Sequence, residues 1–135
     1  MIEEFEIKTE KEQELIDITD KVKEMVSNSG TESGICIVYT PHATAGIIIN
    51  ENHDPSVCND IINQLDKVIP ESKNYEHDKI DNNAHSHIKS SIIGPSENII
   101  IQNNGLKLGT WQGIALSEFD GPRSRRKVYV KVIED

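Results

Sequence analysis

All three arginines of the chain, Arg123, Arg125 and Arg126, stand within four positions, just after Gly121-Pro122. The protein around them is acidic, with a formal net charge of -9. Guanidinium groups this close repel one another unless an anion or carboxylates neutralise them, and their planar fork matches phosphate and carboxylate. Two roles fit: a solvated basic turn ahead of a last strand, or a small anion site on an acidic protein. The crowding favours the second. Ten residues upstream, Gly109-Thr110-Trp111-Gln112-Gly113 holds the only tryptophan. An indole between two glycines is expected to pack or line a pocket, since it cannot titrate and only donates.

The chain carries five histidines. His77, His85 and His87 fall in one polar stretch, while His42 stands in Thr40-Pro41-His42-Ala43-Thr44-Ala45-Gly46. His85 and His87 form a His-x-His pair. In an extended segment both rings share one face and suit a metal. In a helix they lie about 200° apart, so one faces a site and the other turns elsewhere. A solvated or hydrogen-bonded histidine is the alternative at each position. The loop around His42 is small and polar, and Gly46 allows a backbone to approach a ligand closely. Asn50-Glu51-Asn52 follows just before Asp54-Pro55, a helix start, where anions and metals commonly bind. Those residues could equally do no more than end a strand and help cap the helix.

The elements that position these residues can be read from periodicity. Phe5 and Ile7 alternate with polar residues and predict a strand over 2–8. A second short strand is expected at 14–18. A helix capped by Thr19 or Asp20 runs to 28, with Val22, Met25 and Val26 on one face and Gly30 beyond its end. Strands are predicted at 34–40 and 46–50. Asp54 and Pro55 open a helix with Val57, Ile61, Leu65 and Val68 on its apolar face, closed by Pro70. A polar loop spans 71–82. A short helix capped by Asn82 or Asn83 ends at Ile93, before Gly94-Pro95. Strands at 98–102, 106–108, 112–118 and 127–133 complete the chain. Hairpin-linked strands with two or three helices imply an α+β domain, spanning 1–135, of antiparallel or mixed sheets folded over on themselves.

The bulk numbers narrow the function classes. A chain of 135 residues can bury one core. Its acidic balance argues against nucleic acid, whose phosphates need many spread cations. No apolar run reaches the roughly 20 residues that span a bilayer, and the N-terminus lacks a basic-then-apolar leader, so a cytoplasmic protein is expected. Cys36 and Cys58 have no metal or redox spacing and read as reduced core residues.

Taken in order, His42-Ala43-Thr44-Ala45-Gly46-Ile47 with Asn50-Glu51-Asn52 and Asp54-Pro55, Ala84-His85-Ser86-His87-Ile88-Lys89, Gly94-Pro95-Ser96, Leu108-Gly109-Thr110-Trp111-Gln112-Gly113-Ile114 and Glu118-Phe119-Asp120-Gly121-Pro122-Arg123 resemble the secondary thiamine-phosphate synthase, or YjbQ-like, family. The resemblance covers nearly the whole chain. It implies a compact α+β subunit that forms a homotrimer. The runs Ile47-Ile48-Ile49 and Ile99-Ile100-Ile101 agree with that, because strands apolar on both faces need cover on both. It implies a reaction joining a pyrimidine diphosphate to a thiazole phosphate. It also implies a divalent metal, zinc foremost, on His42, His77 and His87, with His85 in reserve. His53 stands outside this set, and Ala43 replaces what is often a hydroxyl residue. Thr44, Gly46, Asn50, Arg123, Arg125 and Arg126 would hold the phosphorylated substrate. Arg125 would stabilise the departing pyrophosphate, and Glu51 would act as a base or orient a histidine. Glu51 and Glu118 are the expected neutralising carboxylates. The same parts would suit a metal-dependent hydrolase, or a trimeric binder of a phosphorylated metabolite without catalysis.

Overall fold

The computed structural model describes residues 2–135. Eight strands and three helices follow one another as β1 (Ile2–Ile7), β2 (Glu14–Asp17), α1 (Thr19–Ser29), β3 (Ser33–Tyr39), β4 (Ala45–Asn50), α2 (Pro55–Val68), α3 (Ala84–Ile93), β5 (Ser96–Gln102), β6 (Gly105–Leu106), β7 (Gly113–Glu118) and β8 (Arg126–Glu134). A single 3-10 turn, Glu76–Lys79, interrupts the polar loop before α3. The architecture is the expected α+β domain, and its strand pairs are all antiparallel.

Two sheets form, one of five strands in the order β1-β8-β3-β5-β6 and one of three in the order β2-β7-β4. Alternation explains how they pack. Along β3, Cys36 and Val38 point inward, and along β5 Ile99 and Ile101 do the same. β4 and β7 contribute Ile47, Ile114 and Leu116 to the same core, which α1 closes with Val22 and Val26. Burying these aliphatic side chains stabilises the fold by about 1.5–3 kcal/mol each.

Local chemistry sets the helix ends. Asp54 accepts from the Ser56 amide at 2.9 Å, and Pro55 occupies the first turn of α2, as expected. At α1 the cap is Asp17 instead of Thr19 or Asp20: its Oδ1 accepts from the Thr19 amide at 2.9 Å and from Thr19 Oγ1 at 2.6 Å. At α3, Asn83 holds the capping position without a capping bond, and Asp78 Oδ1 accepts from the Ala84 amide at 3.0 Å. Asn83 turns its side chain away to Asp120. α2 has no fully buried residue, so it lies against the body as an outer layer. No helix among the described residues is long and apolar enough to cross a membrane. Both cysteines are free; Cys36 is in the core, where burial pushes its thiol up to about 11, whereas Cys58 is only half-buried.

Candidate functional site

The register of the three-stranded sheet divides the residues predicted to form one site between its two ends. Ala45 pairs with Glu118 at one end of β4, and Asn50 pairs with Gly113 at the other. Five strand steps separate these ends by about 17 Å. Thr44, Glu118 and the arginines stand at the first end. Asn50, Glu51 and Asn52 stand at the second, beside the turn that carries Trp111 and Gln112. Glu51 therefore does not reach the arginines of its own chain.

The three arginines go three ways. Arg126 is buried: its Nε donates to Glu118 Oε1 at 2.9 Å, and its Nη2 donates to Glu118 Oε2 and, at 2.8 Å, to Thr44 Oγ1. Glu118, 0% exposed, also accepts from Thr9 Oγ1 at 2.7 Å and from the Asp120 amide at 3.1 Å. The pair is thus closed on itself, and neither Arg126 nor Thr44 is open to a substrate in the way expected. Arg123 reaches Asp120, with Nη2 2.8 Å from Oδ2 and Nε 2.8 Å from the backbone oxygen. The Arg125 side chain is 79% exposed and passes Glu6 at 3.6 Å. Strand alternation causes the split: Arg126, the first residue of β8, points inward, and Arg125 precedes it on the solvent side. Of the two carboxylates expected to neutralise the arginines, Glu118 does so and Glu51 does not.

Gly46 has a packing reason. A Cβ there would lie 2.7 Å from the Gly94 oxygen and 2.9 Å from Ile93 Cγ2, so the residue lets α3 close on β4 and leaves no approach for a ligand. Asn52 is likewise structural, donating from Nδ2 to Asp17 Oδ1 and to the Ile114 oxygen at 3.1 Å each. Gln112 closes its own turn by accepting from the Gly109 amide at 2.8 Å. Trp111 does not pack between the glycines as expected and is 68% exposed.

The helical alternative holds for His85 and His87. His85 turns into the protein, where Lys89 Nζ donates to its Nδ1 at 2.9 Å. His87 faces outward, and its ring meets that of His77 edge to face, with centroids 4.9 Å apart. These two rings line a pocket with Tyr75, Glu76, Ala84 and Ile88. His77 Nε2 is buried there without a hydrogen-bond partner, and the nearest carboxylate oxygen, on Asp81, is 3.6 Å away. Asn83, adjacent in sequence to Ala84, donates to Asp120 Oδ2 at 2.8 Å, the oxygen that also receives Arg123. The histidine pocket and the exposed arginine edge are joined through that carboxylate.

His42 is not part of the pair. Its Nε2 accepts from the Lys127 amide at 2.9 Å, and the three imidazoles expected to share a metal do not come within a common binding radius in one chain. Burial, Arg126, Lys127 and Arg123 hold its pKa below the ordinary value, against an opposing effect of Glu118. Among the described residues, the one grouping of three metal-type atoms within 4.8 Å of one another is Glu12, Glu71 and His85. Lys89 already holds the single lone pair of a neutral His85 ring, which opposes metal binding there. His85 as a reserve ligand is not supported by this geometry.

Sequence reasoning overlooked the cluster around Lys89. This ammonium is 0% exposed and donates to Asp66 Oδ1 at 2.5 Å, Gln13 Oε1 at 2.9 Å and His85 Nδ1. The spacing of His85 and Lys89, four residues apart on one helix face, was the available signal. Asp66 and Gln13 gave none, since their approach depends on how α2 and the segment before β2 pack. Asp120 and Asn83 were missed for the same reason.

Comparison with known proteins agrees with the fold. The family described as UPF0047 protein YjbQ-like matches residues 3–135. A UPF0047 protein of Methanocaldococcus jannaschii is 51% identical over 135 residues, covering 100% of this chain and 96% of that protein. The UPF0047 protein YugU of Bacillus subtilis is 44% identical, covering 98% and 99%. A crystal structure from Clostridium acetobutylicum, an uncharacterized conserved protein of the yjbq/upf0047 family, superposes with a TM-score of 0.93 at 53% identity, covering 97% of this chain and 99% of that one. A YbjQ-like protein of unknown function from Sulfolobus solfataricus gives a TM-score of 0.97 at 35% identity, over 100% and 97%. The chain belongs to the YjbQ-like UPF0047 family.

Proposed function

We propose that the chain is a metal-binding enzyme acting on small phosphorylated metabolites, with the joining of a pyrimidine diphosphate to a thiazole phosphate as its reaction. The observation that carries this reading is the His77–His87 pair, in which one buried imidazole nitrogen lacks any partner beside an arginine-bearing edge. A buried polar atom without a partner is costly, and a cation would remove that cost. Two imidazoles suit zinc, with other positions left to ligand oxygens or water. A metal bound there would neutralise charge on a phosphate oxygen.

The chain's own residues supply the rest. Arg123 is held by Asp120, which also receives Asn83, the neighbour of the pocket residue Ala84, and Arg125 is exposed 3.6 Å from Glu6; both can meet negative charge that grows on departing pyrophosphate. Such a departure needs fixed cations more than a base. Of the two carboxylates expected at the site, Glu118 is taken up by Arg126 and Glu51 stands at the far end of β4.

The reading includes a homotrimer. The outer face of the five-stranded sheet supports it: Ile35 faces Ile100 on one side and Ile133 on the other, and the Tyr39 and Tyr129 rings lie 6.3 Å apart beside them. Ile100 is 60% exposed in the single subunit. Contiguous apolar surface of this kind marks an interaction face. Zinc-loaded protein incubated with the pyrimidine diphosphate and the thiazole phosphate is expected to release pyrophosphate and thiamine phosphate. Absence of turnover in protein whose zinc is confirmed would remove the enzyme reading. Light scattering is expected to give three times the 15.2 kDa subunit mass, and a clean monomer at micromolar concentration would remove the trimer.

A further inference from the structure

The β3–β8 ladder ends at Tyr39 opposite Tyr129. Two residues further along, Pro41 comes opposite Lys127 and has no amide to donate. Side chains take over. Thr40 Oγ1 donates to the Lys127 oxygen at 2.8 Å, and His42 Nε2 accepts from the Lys127 amide at 2.9 Å. Thr40 thus supplies the donor that the proline cannot offer to the Lys127 oxygen, and His42 accepts from the Lys127 amide.

This arrangement decides which proton His42 carries. A neutral imidazole has one lone pair and one N–H. Lys127 uses the lone pair, so Nδ1 carries the hydrogen. A proton on Nε2 would place two donors face to face. The ring is half-buried and therefore presents a fixed N–H donor, with no lone pair for a metal. The loop adds further donors: among the described residues, the backbone amides of His42, Ala43 and Thr44 find no acceptor in the chain. The charges felt by the ring are Arg126, Lys127 and Arg123, against Glu118 alone. Donors and positive charge converge on this loop, in a protein whose formal net charge is -9. Such a surface suits a phosphate-type oxyanion.

We propose that the loop at residues 41–43 forms an oxyanion subsite in which His42 donates from Nδ1–H to a phosphate or pyrophosphate oxygen, and that His42 is not a metal ligand. This rests on the reading of a phosphorylated ligand given above and assigns the loop that holds its phosphate. The neutral ring suits the role, because it donates in one fixed direction without adding a fourth positive charge beside three others.

The test uses inorganic pyrophosphate as probe and the full chain in zinc. In wild-type protein, long-range proton–nitrogen NMR is expected to show His42 neutral and protonated on Nδ1, and calorimetry to show pyrophosphate binding. H42Q retains an acceptor for the Lys127 amide and removes the Nδ1 donor, so it should keep the fold. Its pyrophosphate affinity is expected to fall roughly tenfold or more, a common effect of losing a hydrogen bond to a charged group. Zinc content should not change in H42Q or H42A. Loss of zinc in H42Q, a zinc-bound His42 nitrogen in the spectrum, or wild-type affinity in H42Q would overturn the proposal. Two failures separate cleanly. If H42Q binds as wild type while R123A binds weakly, the loop assignment falls and the phosphorylated-ligand reading stands. If wild-type protein binds no pyrophosphate, both fall.

Discussion

Lys89 Nζ lies 2.9 Å from Nδ1 of His85, one turn earlier on α3, and the ammonium is wholly enclosed. An ammonium can stay charged inside a protein only when acceptors replace water. Here Asp66, Gln13 and His85 occupy its three donors. The contact joins α3, α2 and the segment before β2 at one point.

Replacing Lys89 by methionine should therefore loosen the attachment of α2. Breaking a fully buried pair costs about 3–5 kcal/mol; the Asp66 side chain is about a third exposed and can rehydrate, so a loss of about 2–3 kcal/mol is expected. Urea unfolding monitored by circular dichroism measures it. A change under about 0.5 kcal/mol would show that the ammonium does not hold the helices.

Glu118→Gln should be more damaging than any change at Arg125. It leaves the buried Arg126 guanidinium without its anion, at a cost of about 3–5 kcal/mol. Arg125→Ala, on an exposed side chain, should stay within about 0.5 kcal/mol of wild type. Paired denaturation curves of the two variants decide this, and equal stabilities would contradict the geometry.

Stability should decline as the solution is acidified below neutrality. His85 is held below its usual 6.5 by burial and then by Lys89, and His42 by burial and then by Arg126. A histidine whose folded pKa is depressed takes a proton more readily in the unfolded chain. Its contribution is therefore complete above pH 6.5 and is lost as pH falls through the lowered folded values. Asp66 extends the loss below its ordinary 3.8: burial raises it, but hydrogen bonds from Lys89 and Gln13 outweigh that and depress it. Melting temperatures measured between pH 7.5 and 5 should fall, and H85Q should flatten the slope. A Tm that rises on acidification would reverse the sign of the argument.

If the proposed zinc site is right, His87→Ala should abolish zinc binding, because it removes half of the imidazole pair around the partnerless His77 nitrogen. His53→Ala should leave metal content unchanged, since that ring is exposed and belongs to neither end of the site. Elemental analysis of the two purified variants provides the measurement. Full occupancy in His87→Ala would dismiss the pair as a metal centre.

Much of the architecture was legible from local rules. Alternation located β1, a run of β-formers located β3, the turn at Asn103-Asn104-Gly105 marked the end of β5, Asp54-Pro55 located the start of α2, and Gly94-Pro95 located the end of α3. The caps of α1 and α3 were not legible, because Asp17 and Asp78 reach them from outside the helical pattern. The weak strand expected at 106–108 shrinks to Gly105–Leu106, since only two residues find a partner on β5.

The amino-acid sequence by itself determined the α+β class, the family, and which residue types carry chemistry, since these follow from periodicity, turn residues and ordered motifs. It also placed His85 and His87 on different helix faces once helix was chosen. Only the tertiary structure decided which of those residues meet. Strand register put Asn50, which precedes Glu51, about 17 Å from the Glu118 end of β4. Alternation along β8 sent Arg126 inward to Glu118 and left Arg125 in solvent. Packing of the loop before α3 brought His77 to His87, while a proline at the end of a ladder drew His42 to Lys127 instead. Contacts between distant segments depend on register and packing, and neither quantity is written in any local stretch of the chain.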